Sequence, residues 1–119
     1  MSIKAPRGTR DILPLEAQKW YILEEIFKKM CCIYNMHEIR TPLFEETELF
    51  VRSVGEESDV VNKEMYNFKD RGGRELALRP EGTAGVVRAY IEHGLYNMPQ
   101  PVKLFYYGPM FRYDRPQAG

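Results

Sequence analysis

The sequence has no long apolar run, no cysteines at a ligand or disulfide spacing, and no surplus of either charge. No stretch is apolar enough to span a bilayer, and no basic start leads into an apolar segment of signal-peptide length. Neither a membrane anchor nor an export signal is therefore indicated, and the chain is expected to be cytoplasmic. Cys31 and Cys32 are adjacent, which is poor geometry for an ordinary disulfide and matches no zinc pattern, so they read as reduced thiols that serve packing. Lys plus Arg and Asp plus Glu both number 17, so the formal net charge is zero and no basic field argues for non-specific binding to nucleic acid or membrane. His37 and His93 lie far apart with no paired Cys, His or acid at ligand spacing, which leaves them structural and gives no metal site. The glycines of "DRGGR" lack the Lys-Ser/Thr ending of a phosphate loop and sit inside a hairpin rather than before a helix. No Ser-His-Asp or Cys-His arrangement, internal repeat or low-complexity tract is present.

What is there fits one small globular domain: 119 residues, 44% of them hydrophobic. After the breaker-containing start "KAPRGTRDILP", residues 15 to about 36 place Trp20, Leu23, Phe27, Met30, Cys31 and Tyr34 at spacings of three and four, widened by Ile22, Ile26 and Ile33. This predicts a long, broadly buried helix with Pro14 in its first turn, Asp11 or a backbone group as its cap, and Asn35 as its stop. "HEIRTP" reads as a short strand ended by Pro42. Residues 46 to 54 read as a short helix closed by Gly55, with Leu49, Phe50 and Val54 buried. Met65, Tyr66 and Phe68, the "DRGGR" turn and residues 75 to 79 predict an antiparallel hairpin. Gly82 to about His93 has a helical period, with Gly94 as its stop, and two aromatic strands follow in "VKLFYYGPMFRYDRP". The fold class is α+β.

Chemistry-bearing residues gather in two places. In "LRPEGTAG" a strand hands over to a helix, so Glu81 and Thr83 stand where amides lack intrahelical partners, while Pro80 and Gly82 shape the turn. Two readings stay open there: a helix cap, or an anion and a hydroxyl suited to a substrate ammonium group. Arg79 has no assigned role. In "MFRYDRP" strand alternation puts Arg112 and Asp114 on one face, either as a solvated cross-strand ion pair or as a guanidinium fork for phosphate oxygens beside an acid. Lys103, Tyr106 and Tyr107 read as strand-surface and core residues.

In order, "RGTRDILP", "RTPLFEETELF", "VGEESDVVNKEMYNF", "LALRPEGTAG" and "GPMFRYDRPQAG" closely resemble the N-terminal part of histidyl-tRNA synthetases, which are class II aminoacyl-tRNA synthetases. The resemblance covers nearly the whole chain, and its strings are specific in combination. It implies a truncated class II catalytic core: part of a larger antiparallel sheet flanked by helices, its edge left unpaired and prone to association. Residues of about 15–42 match the first class motif, which builds a homodimer interface. Residues 78–85 match the histidine-pocket segment, so the resemblance assigns Glu81 and Thr83 to the amino group of the histidine substrate. Residues of about 103–119 match the start of the second class motif. There the resemblance gives Arg112 the α-phosphate of ATP and its pentavalent transition state. Asp114 falls where the family usually has a Glu that recognises adenine. The resemblance further implies ATP with Mg²⁺ as co-substrate, cognate tRNA as partner, no tightly bound cofactor and no membrane. The rest of the catalytic domain and an anticodon-binding domain are expected outside this chain, which by itself should be inactive. Two other readings are a regulatory paralogue, such as the regulatory subunit of ATP phosphoribosyltransferase, and a module serving only dimerisation or folding.

Overall fold

The structure is a computed structural model that describes residues 2–115, and the chain divides between His37 and Glu38 into two compact units rather than one. The first unit is an extended start followed by α1 (Pro14–Ile33). Pro14 opens the helix at a position that needs no amide donor. The cap residue is Leu13, which makes no side-chain cap bond, so Asp11 does not fill that role. Instead Arg10 forks onto Glu16 in the first turn, at 2.9 and 2.7 Å, and this bond holds the Glu16 carboxyl below the usual carboxylate range. Asn35, in the left-handed region at φ 58°, ends the helix.

The apolar residues of α1 are not broadly buried: Cys31 is its one buried residue, while Trp20 is 45% and Leu23 61% exposed. A helix apolar around so much of its circumference needs more than one covering surface. An extended start cannot supply it.

The second unit is built on a three-stranded antiparallel sheet in which the strand of residues Glu75–Leu78 lies between those of Phe44–Glu46 and Asn67–Lys69. β1 (His37–Glu38) is shorter than "HEIRTP" suggests, and just after it the Ile39 amide donates to Phe105 O of β5 (Leu104–Phe105) at 3.0 Å. β2 (Phe44–Glu46), which the sequence did not signal, runs directly into α2 (Thr47–Val54). A π turn (Val60–Glu64) leads to β3 (Asn67–Lys69), and β4 (Glu75–Leu78) returns along it with Phe68 opposite Leu76 and Asn67 opposite Ala77. Asp70 closes the hairpin turn by accepting from the Arg74 backbone at 2.9 Å and its guanidinium at 2.7 Å. The backbone bond, more than the ion pair, holds the Asp70 carboxyl below its ordinary value. β4 continues through a turn into α3 (Thr83–Glu92), which stops just before Gly94 as expected.

The core lies between this sheet and the helices α2 and α3. Phe50 and Ala77 are fully buried and Ala84 nearly so, with Leu49 and Met65 packed against them. Ala77 and Ala84 are small enough to let helix and strand backbones approach, and Phe50 fills the space that remains. Arg88 of α3 reaches across to Glu45 of β2 and along its own helix to Glu92. Burial alone works against the Arg88 charge, but bonds and charges from both carboxylates outweigh it and raise its pKa. Arg88 Nε lies 3.0 Å from Glu45 Oε1 yet off the hydrogen-bonding line, so that contact is an ion pair while Nη2 makes the bond.

Of the two aromatic strands expected near the end, only β5 forms; residues 111–115 are not a strand. Phe111 N–H donates to Arg79 O at 2.9 Å and Tyr113 N–H to Glu64 O at 2.7 Å. Their acceptors belong to different segments, so no continuous ladder is built.

Phe50→Ala is expected to destabilise the protein by about 3–5 kcal/mol through the cavity it leaves. Urea unfolding should show a lower midpoint with an unchanged slope; a shift worth under about 1 kcal/mol would remove Phe50 from the core.

Candidate functional site at the β4–α3 turn

The site is assembled where β4 ends. Pro80 has no amide to continue the ladder and is fully buried, and its carbonyl is left free to accept. At that carbonyl Arg112 Nε donates at 2.9 Å, one residue along from the bond between Phe111 N–H and Arg79 O. Two successive residues of the returning segment are thus fastened to two successive carbonyls of the turn. Among the described residues, the two terminal nitrogens of Arg112 have no partner, and the side chain is exposed.

Next in the turn, Glu81 Oε2 accepts from Thr83 N–H at 2.6 Å and Oε1 from Ala84 N–H at 3.0 Å. Glu81 therefore serves the free amides at the start of α3, from the position before the cap residue Gly82. Each oxygen has spent one acceptor direction, which leaves capacity for a ligand cation, so the cap and ligand readings are compatible. Thr83 Oγ1 shares a hydrogen bond of 2.8 Å with the Tyr106 hydroxyl. Gly82 makes this approach feasible: a Cβ there would overlap the Tyr106 ring and come within 2.9 Å of Met110 Cε.

The structure brings Glu81, Thr83 and Arg112 to one turn, from segments about 30 residues apart in sequence. It does not join Asp114 to them. Asp114 Oδ1 accepts from the Arg115 amide at 2.8 Å, and with no strand formed the shared face with Arg112 is not realised. Two contributors escaped the sequence reading. Tyr106, taken there for a surface or core residue, holds Thr83. Arg79 is buried at 7% exposure beneath the turn. Alternation gave one usable signal for Arg79, which lies two residues beyond the buried Ala77 on the same side of β4.

A cleft of about 520 Å³ lies away from this turn, lined by residues that include Pro42, Glu45, Arg52 and Arg88. Its Arg88 is already paired with Glu45 and Glu92. The turn combines an acid with spare acceptor capacity, a hydroxyl and an open guanidinium fork. Such a set suits a ligand that carries both an ammonium group and a phosphate. Among the described residues no cluster of His, Cys, Asp or Glu could hold a metal ion.

Among solved structures, the apo histidyl-tRNA synthetase of S. aureus matches with a TM-score of 0.82 at 52% identity, over 94% of this chain and 30% of that one. A Bacillus halodurans protein described as an ATP phosphoribosyltransferase regulatory subunit/histidyl-tRNA synthetase matches more distantly, with a TM-score of 0.79 at 25% identity, over 94% of this chain and 28% of that one. The fold is that of a class II aminoacyl-tRNA synthetase core. At the level of sequence, the family model for histidyl-tRNA synthetase matches residues 8–119. Histidine-tRNA ligase of Natranaerobius thermophilus is 66% identical over 119 residues, all of this chain and 28% of that protein. The chain belongs to the histidyl-tRNA synthetase family, and it spans 28% of the length of this curated relative.

Glu81→Ala is expected to cost about 1 kcal/mol of stability by freeing the two amides. Gly82→Ala should cost about 1–3 kcal/mol by displacing Tyr106. Chemical denaturation of both variants checks this pair; a neutral Gly82→Ala would mean that the Tyr106 ring is free to move away.

Proposed function

We propose that this chain is part of a cytoplasmic histidine-tRNA ligase, which activates histidine with Mg-ATP and transfers it to its cognate tRNA. The observation that carries the reading is the convergence of Glu81, Thr83 and Arg112 on one turn in a chain of this family. In the first step the histidine carboxylate attacks the α-phosphorus of ATP, the bond to pyrophosphate breaks, and histidyl-adenylate forms. Glu81 receives the substrate ammonium group on its remaining acceptor directions, with the Thr83 hydroxyl beside it. Arg112, held through Nε by Pro80 O, turns its free nitrogens to the α-phosphate oxygens, where charge builds in the transition state. Asp114 accepts from the exocyclic amine of adenine, over a shorter reach than the Glu usual in the family. Mg²⁺ enters with ATP as part of the substrate.

Residues of about 15–42 would form the dimer-building motif of this enzyme. The exposed apolar side chains of α1, among them Leu23 at 61% and Ile26 at 55%, support a second copy of the chain as what covers them.

Histidine-dependent ATP–pyrophosphate exchange in the full-length protein tests the reaction. Arg112→Ala should lower kcat on the order of 10²- to 10³-fold. Glu81→Ala should chiefly raise the KM for histidine, by about tenfold or more. The 119-residue chain alone, holding 28% of its relative's length, is expected to give no exchange. A full-length protein without histidine-dependent exchange would favour the regulatory reading that the B. halodurans neighbour keeps in view. Light scattering tests the assembly: wild type should be a dimer, and the double variant Leu23→Glu with Ile26→Glu a folded monomer. A wild-type monomer would refute the role given to α1.

A further inference from the structure

Arg79 is the single charged or polar residue that is buried among those described, at 7% exposure. Its guanidinium donates from Nε to Pro109 O at 3.0 Å and from Nη1 to Thr41 Oγ1 at 3.3 Å and Thr41 O at 3.5 Å. Nη2 lies against Gly108, where a Cβ would come within 2.8 Å of it and where φ is 151°. Gly108 is therefore needed both for its backbone conformation and for the room it leaves. The backbone of Arg79 makes two further ties, N–H to Leu43 O and O from Phe111 N–H, both at 2.9 Å. Among the described residues no carboxylate pairs with this guanidinium. A buried cation served only by neutral oxygens is a poor source of stability. What it does supply is geometry, because a planar fork fixes the relative position of the groups it binds.

We propose that Arg79 is a positioning residue for adenylate formation: its buried fork ties the Thr41 segment to the Gly108–Pro109 bend and so sets where Arg112 stands. The proposal rests on the reading of Arg112 as the phosphate-binding residue. Pro109 stands three residues before Arg112, and the intervening Phe111 is bonded to the Arg79 carbonyl, so the arginine governs that segment through side chain and backbone at once. Lys at this position would keep the charge but concentrate it in one ammonium at the end of a flexible stem. It could not donate to Pro109 O and Thr41 together in the same plane.

The test uses full-length protein, with Arg79→Lys as the variant. Its kcat for histidine-dependent exchange should fall on the order of 10- to 100-fold, as expected for a misplaced reacting group. The KM for histidine should stay within about twofold, because Glu81 and Thr83 are held by other bonds. Amide hydrogen exchange should quicken at Phe111 and Tyr113 and stay unchanged in β2, β3 and β4. Thr41→Val removes one acceptor and nearly nothing else, so it covers the case of an Arg79→Lys protein that does not fold; it should show the same pattern, weaker. Wild-type kcat in a folded variant would overturn the proposal, and so would protection lost evenly across the sheet. If the wild-type protein shows no histidine-dependent exchange, the reading of the reaction fails instead. The local amide exchange at Phe111 and Tyr113 then still decides whether Arg79 holds that segment.

Discussion

The second unit depends on how β4 is brought to an end. Strand hydrogen bonding stops at Pro80, and the carbonyls of Arg79 and Pro80 are two successive acceptors at the point where the strand gives way to the turn. Phe111 and the Arg112 side chain use those two acceptors. A buried carbonyl without a partner costs free energy comparable to a lost hydrogen bond, so the two segments are held by mutual need rather than by a large apolar contact. The arrangement is directional, as a contact made only of apolar side chains would not be.

Glu81 serves structure and proposed chemistry with the same atoms. Its two oxygens hold the first amides of α3, which confines the carboxylate to one orientation before any ligand arrives. A carboxylate confined in this way loses little further freedom on binding, which is the physical basis of preorganisation. The positive end of the α3 dipole also favours the anion there, so the cationic ligand group proposed for this site would meet an acid whose charge the helix already supports. The Thr83 hydroxyl is fixed by the same logic through Tyr106.

Much of this fold was legible. The helical periods of α1 and α3, the hairpin with its glycine turn, the α2 helix and the α+β class all followed from spacing and turn chemistry. The site residues were legible as candidates, and the "PEGT" and "MFRYDRP" strings carried a family resemblance that spacing alone could not. What escaped has physical reasons. β2 is too short, at three residues, to announce a period before α2 begins. In β4 Leu76 and Ala77 point to opposite faces and both are buried, Ala77 fully, because helices pack closest where side chains are smallest. With both faces covered, alternation alone could not single out Arg79, and its charge argued for the surface. Alternation at residues 111–115 signalled a strand, but a strand is completed by a neighbour, and Phe111 and Tyr113 find theirs on separate segments. The apolar stripe of α1 was legible; that its own unit would leave it uncovered was not.

The small side chains at Ala77 and Ala84 act as a gauge for the whole site. They set the gap between β4 and the helices to the width that Phe50 fills, and the Pro80 to Gly82 turn bridges that gap. Widening it by a single carbon at either alanine would lift the first turn of α3 away from the strand. Glu81 and Thr83 would travel with the helix, while Arg112, tied to Pro80, would remain with the sheet. The distance between the acid and the guanidinium is therefore encoded less by those residues themselves than by the absence of bulk beneath them. A search for variants that tune the spacing of this turn would begin at the two alanines beneath it.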